Sequence, residues 1–172
     1  MMNSDLRHFL KMECFDNRDM NFLQKFQRIM FIPQYRSVYL IRKMQFTKNK
    51  RVKRFYCNCL IREFGIYCGF NATIEIGLKL PHPQGIVIGN NVSIGKNVTI
   101  YQQVTIGSAN LGDWKYGDRQ PNIESGVILF AGSKIIGNIL VSENTVVGAN
   151  SVLNKSTNRN SIWAGIPAKK IK

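Results

Sequence analysis

The chain is poor in acids and histidines. Ten Asp and Glu stand against twenty-four Lys and Arg, a formal net charge of +14. Only two histidines occur, His8 and His82. So few rule out a three-histidine zinc centre. No run of about eighteen apolar residues exists, so no membrane-spanning helix is expected. The first residues, MMNSDLRHFLKMECFD, lack the apolar core of a secretory signal. Cysteine stops at Cys68, after Cys14, Cys57 and Cys59, and without a secretory route these read as free thiols in a reducing compartment. Cys57-x-Cys59 is too tight for zinc and lacks a second ligand pair. A length of 172 residues with 44% hydrophobic residues suits one compact domain with a modest appendage.

Two halves follow different rules. Residues 1–70 read as a basic α-helical region with 14 bases and 5 acids, 14 − 5 = +9. Val52, Phe55, Tyr56, Cys59 and Leu60 keep helical spacing, as do Phe22, Leu23, Phe26, Ile29 and Met30. Pro33 ends or kinks the second of these, and Val38, Tyr39 and Arg42 suggest a further short helix. The acid-free stretch Lys43–Arg54 reads either as a solvated face or as a patch for an anionic partner: inner-leaflet lipid, acidic glycan or a nucleotide-bearing cofactor. No nucleic-acid-binding motif accompanies it, so no nucleic-acid partner is expected.

From residue 74 the period is six. One column runs Ile76, His82, Ile88, Ile94, Ile100, Ile106, a second Ile74, Leu80, Ile86, Val92, Val98, Val104. A third restarts at Ile123: Leu129, Ile135, Val141, Val147, Leu153, with Val127, Ser133, Ile139, Thr145, Ser151 and Thr157 four places on. Six is no multiple of 3.6, and it is too short for antiparallel hairpins. One short strand plus one corner fits, with an aliphatic pointing into a central stack built by neighbouring units. The frame slips between Ile106 and Ile123, so residues 108–122 should leave the coil as a functional loop.

Three segments carry a family resemblance: Pro81-His82-Pro83-Gln84-Gly85-Ile86-Val87-Ile88-Gly89, Val104-Thr105-Ile106-Gly107, and Gly117-Asp118-Arg119-Gln120-Pro121, closed by Trp163-Ala164-Gly165-Ile166-Pro167-Ala168-Lys169. Residues 76–172 resemble the hexapeptide-repeat acyltransferases, on the branch of the serine acetyltransferases and of the enzymes that O-acetylate bacterial polysaccharides. The resemblance implies a mainly β fold, a left-handed parallel β-helix over residues 71–172 with a C-terminal tail. It also implies acetyl transfer from acetyl-CoA, no metal, and a homotrimer with sites at the subunit junctions.

Residue by residue, it implies His82 as general base, work that suits a side chain titrating near neutral pH. Gly107 is a candidate oxyanion donor, and Asp118, Arg119 and Gln120 are acceptor-binding candidates. Ala131, Ser133, Ala149, Lys169 and Lys170 are the positions expected to meet CoA. Serine acetyltransferases carry an acid before the base and a histidine after Gly-Asp-Arg, and here Pro81 and Gln120 stand there. Their orienting aspartate lies fifteen residues before the base, where this chain has Tyr67; Glu75, Asp118, Glu124 or a backbone carbonyl are the substitutes. Losing amine-binding groups favours a saccharide acceptor, with O-acetylation of serine for cysteine biosynthesis as the alternative. The expected location is cytoplasmic, with contact at the inner membrane face left open. A non-catalytic solenoid would not need His82, and a sugar-nucleotide uridyltransferase would need a nucleotide domain for which there is no room.

Overall fold

The computed structural model describes residues 4–16, 18–110, 112 and 119–172. Helices come first. α1 spans Ser4–Glu13 and buries Leu6 and Leu10. α2 spans Phe22–Phe31 and opens with a capping box, in which Asn21 Oδ1 accepts from Gln24 N (2.9 Å) and Gln24 Oε1 accepts from Asn21 N (3.0 Å). It stops because Ile32, held extended before Pro33, cannot continue a helix. Pro33 then starts α3 (Pro33–Phe46), where a missing N–H costs nothing. α4 (Lys50–Phe64) is capped by Asn49 and ended by Gly65, whose φ of +63° suits glycine.

The remaining chain winds as a three-faced prism of parallel strands. Face I holds β1 (Tyr67–Cys68), β3 (Val87–Ile88), β6 (Thr105–Gly107), β9 (Lys134–Ile136) and β12 (Val152–Leu153). Face II holds β2 (Thr73–Ile74), β4 (Ser93–Ile94), β7 (Asn122–Ile123) and β10 (Leu140–Val141). Face III holds β5 (Thr99–Ile100), β8 (Ile128–Leu129), β11 (Val146–Val147), β13 (Ile162–Gly165) and β14 (Ala168–Lys170). Lys79 bridges to Thr99 and so belongs to face III as well. All pairings are parallel except the closing β13–β14 hairpin. This is the left-handed β-helix that the family resemblance implies.

The inward residues are Cys68, Ile74, Leu80, Ile88, Ile94, Ile100, Ile106, Ile123, Leu129, Ile135, Val141, Val147 and Leu153, all buried. Two places before each sits a second buried residue, Val92, Val98, Val104 and Val127 among them, turning to Ser133, Thr145 and Ser151 in the later coils. One coil is 18 residues in the regular part, as Val87 pairs Thr105 and Lys134 pairs Val152. The first coil is longer: Tyr67 pairs Val87, 87 − 67 = 20. Since Lys79 also pairs Thr99 at a separation of 20, the two extra residues lie after Lys79 and before Val87.

This corrects the first column read from the sequence. His82 is not in an aliphatic slot. Leu80 fills that slot, Ile76 is only half-buried, and stepping by six across a corner two residues too long lands on His82 by coincidence of phase. The longer excursion falls between Gly107 and Asn122, and Asn122, the last residue of the expected loop, already pairs with Ser93 and Leu140 in β7.

A buried ion pair joins helices to prism. Arg42 of α3 donates to Glu13 of α1 through Nε (2.7 Å) and Nη2 (2.5 Å). It also donates to the carbonyls of Ile74 and Glu75 (2.6 Å each), and its guanidinium lies 4.6 Å from the Phe9 ring centre. Glu13 in turn accepts from the N–H groups of Gly77 (2.7 Å) and Leu78 (3.0 Å). Both side chains are essentially excluded from water, at 0% and 1% exposure.

Candidate functional site

The widened corner between faces III and I is the start. Pro83 is buried, Pro81 half-buried, and His82 between them is exposed. Two prolines restrict the backbone on either side of His82. Gln84 N donates to His82 O (2.9 Å), Gly85 N to Phe64 O (2.9 Å), and Gln103 N to Gln84 O (2.8 Å). Gly85 adopts φ +64°, which lets the corner return to β3. The end of α4 therefore clamps the loop that presents the imidazole.

The ring itself is held by packing. Its centre lies 6.1 Å from that of Tyr101, which stacks on Phe130 at 5.1 Å and 17°. Among the described residues no carboxylate or carbonyl is hydrogen-bonded to the ring, so Glu75 and Glu124 do not orient it. Those two line a separate depression with Ser93, Asn122, Glu143 and Arg159 on face II.

His82 lines a cleft of about 500 Å³ with Gln34, Glu63, Phe64, Pro81 and Gln102. Gln34 and Pro81 are shared with a groove of about 670 Å³ between α1, α3 and the first coil, where Glu13, Asp16 and Lys79 also lie. The Arg36 guanidinium donates to Glu63 (Nη2–Oε1 2.7 Å) and holds its carboxyl below the usual carboxylate range. Asp16 pairs with Arg28. Gln102 Oε1 is buried with no hydrogen-bond partner. Glu63, Asp16 and Gln102 were missed from the sequence because none sits in a motif. Only the fold brings the end of α4, with Glu63, and the second coil, with Gln102, to the His82 cleft, and sets Asp16 in the adjoining groove.

The edge that carries His82 continues as Gln102, Ala131 and Ala149, one per coil, tied by Gly132 N to Gln102 O (2.9 Å) and Asn150 N to Ala131 O (2.8 Å). At one strand spacing per coil, Ala149 stands about 14 Å from His82 along the axis. Beyond it Lys169 and Lys170, both exposed, pair with Ala164 and Trp163 on the hairpin. Trp163 donates its Nε1–H to Ser161 Oγ (3.0 Å) and packs on the core. Ser133 departs from expectation: it is fully buried inside the prism, so its side chain does not reach this edge.

Gly107 lies elsewhere. It ends β6 at the edge between faces I and II, where its carbonyl accepts from Gly137 N (2.9 Å). A side chain there would meet nothing within 4 Å. Gln120 is buried on the same edge, against Gly89, and Arg119 beside it is exposed. Asp118 falls outside the described residues. Within one chain, then, His82 and the group Gly107, Arg119, Gln120 occupy different edges of the prism and are not brought together.

Cys14, Cys57 and Cys68 are unsuited to nucleophilic work. All four cysteines are unpaired, and burial pushes the Cys14 and Cys68 thiols up to about 12 and raises Cys57. No cluster of three or more metal-ligating side chains occurs among the described residues.

Comparison with known proteins points one way. No family model matches the chain. It is 35% identical over 123 residues to the serine acetyltransferase of Buchnera aphidicola, covering 72% of this chain and 44% of that one. It is 32% identical over 174 residues to serine acetyltransferase 2 of Arabidopsis thaliana, covering 99% of this chain and 52% of that one. The chain therefore spans about half the length of these relatives. Among solved structures, a serine acetyltransferase in complex with cysteine matches with a TM-score of 0.83 at 26% identity, covering 99% of this chain and 71% of that one. A serine acetyltransferase in complex with CoA matches at 0.80 and 25%, covering 98% and 71%.

The resemblance to the hexapeptide-repeat acyltransferases, on the serine acetyltransferase branch, is thereby borne out. The expectation of a saccharide acceptor is not: the relatives are named for serine. That expectation weighed the missing acid at Pro81 and the missing histidine at Gln120 as lost amine-binding groups. It overlooked Glu63 of α4 and Gln102 of the second coil, which line the same cleft as His82.

Proposed function

We propose that the chain is an acetyl-CoA-dependent serine O-acetyltransferase, with His82 as general base, acting in the cytoplasm where acetyl-CoA is supplied. The carrying observation is the exposed imidazole on a corner widened by two residues, at the mouth of a cleft that Glu63, Gln34, Gln84 and Gln102 also line. His82 takes the proton of the serine hydroxyl as its oxygen attacks the thioester carbonyl. The new C–O bond forms, the C–S bond breaks, and the proton passes from His82 to the CoA thiolate. The products are O-acetylserine and CoA, and no covalent enzyme intermediate is needed.

Glu63 and the unpartnered Gln102 Oε1 accept hydrogen bonds from the serine ammonium in place of the acid absent at position 81. The small residues Ala131 and Ala149 leave the edge open for an extended pantetheine chain. Lys169 and Lys170 meet the nucleotide phosphates at its far end.

Gly107, Arg119 and Gln120 enter the site from a second copy of the chain. In a homotrimer with three-fold symmetry, the edge between faces III and I of one prism lies against the edge between faces I and II of the next. That supplies Arg119 for the serine carboxylate and a backbone N–H near Gly107 for the oxyanion.

This division of the site has a direct consequence. His82→Ala and Arg119→Ala are each expected to be nearly inactive with L-serine. Unfolded together and refolded as a one-to-one mixture, they should regain about a quarter of wild-type activity, the fraction of junctions with both residues intact. No recovery from mixed trimers would place both residues in one subunit and overturn the shared site.

A further inference from the structure

Between Asp19 and Glu63 the chain carries no acid and eleven Lys and Arg. Three of these are neutralised: Arg28 by Asp16, Arg36 by Glu63 and Arg42 by Glu13. Lys43, Lys48, Lys50, Arg51, Lys53, Arg54 and Arg62 have no carboxylate partner among the described residues. Apart from Lys43, near the end of α3, they cluster on α4 and the turn before it.

α4 turns Cys57 and Leu60 inward. Arg51, Phe55, Asn58 and Arg62 follow the spacing of the opposite side, and all four are exposed, with Arg54 beside them. Apolar side chains are interleaved: Phe55 is 61% exposed, Ile61 45% and Val52 36%. This face lowers the helix's own stability. Its first turn holds Lys50, Arg51 and Lys53 and no acid, against the helix dipole. Lys50 and Arg54 repel at i,i+4. An ordinary solvated face mixes charges of both signs, and this one does not.

We infer that the outer ridge of α4 docks the protein on an anionic membrane surface. Charge selects the occupant. A second copy would bring the same unneutralised cations and be repelled. A lipid surface supplies anionic headgroups for the Arg and Lys and hydrocarbon for Phe55, Val52 and Ile61. A nucleic acid would satisfy the cations and leave those apolar groups unused.

The test is vesicle flotation of the full chain. Vesicles of phosphatidylcholine alone are compared with vesicles holding about 30% phosphatidylglycerol, at about 0.05 M and 0.5 M salt. Binding is expected only to the anionic vesicles, falling more than about tenfold at high salt. The double variant Arg51→Glu/Arg54→Glu should lose more than about tenfold, and Phe55→Ser several-fold. All three positions are exposed, so thermal melts of the variants should match wild type, and acetyl transfer to L-serine in solution should be unchanged. Equal binding to both vesicle types, no binding to the anionic ones, undiminished binding by the double variant, or capture by duplex DNA without vesicle binding would each overturn the inference.

Discussion

Glu13→Ala is expected to destabilise the fold by about 3–5 kcal/mol, the cost of leaving its partner charge buried and unpaired. The Arg42 guanidinium has no exposure to water, and every donor direction used in the structure ends on Glu13, Gln45 or a carbonyl of the first coil. Losing the carboxylate strands that charge and also leaves the N–H groups of Gly77 and Leu78 without their acceptor. Arg42→Ala should cost a similar amount for the mirrored reason.

The two losses share one network, so they will not add. Glu13→Leu/Arg42→Met removes both charges and is expected to lie well below the sum of the single effects. Denaturant unfolding of the four proteins reads this directly. A single-variant cost under about 1 kcal/mol would mean that the pair is not what fastens the helices to the prism.

The second large effect concerns turnover. His82→Ala should lower acetyl transfer more than about a hundredfold, within the range for removing a positioned general base. The side chain is exposed and lies beside the Tyr101 ring, so its removal leaves the corner to Pro81, Pro83 and the Gly85–Phe64 hydrogen bond. Stability should change little, which separates loss of chemistry from loss of fold.

Much of the architecture was legible because a prism needs one inward aliphatic per face. Ile88, Ile94, Ile100, Ile106 and the series from Ile123 to Leu153 all lie inside as their spacing implied. Phase was harder. The two residues added between Lys79 and Val87 shift the frame, and the sequence offers no mark for them beyond Pro81 and Pro83. The helices were read from the same apolar spacing, yet α2 buries none of its residues and leaves Phe22 85% exposed. Amphipathic spacing reports a helix, not what covers it.

At the site, His82 stood out through its flanking prolines and its rarity. Glu63 and Gln102 did not, because they come from separated segments that only tertiary packing brings to the His82 cleft. Reading the acceptor from Pro81 and Gln120 alone led to a sugar. Glu63, at the end of α4, lines the His82 cleft although it stands nineteen residues before His82 in the sequence.

One assay bears on all of this: thiol release from acetyl-CoA in the presence of L-serine, for wild type and His82→Ala at equal concentration. The account predicts serine-dependent release with stoichiometric O-acetylserine from the wild type and a rate near background from the variant. Wild-type release that ignores L-serine, or a variant that keeps pace with wild type, would contradict it.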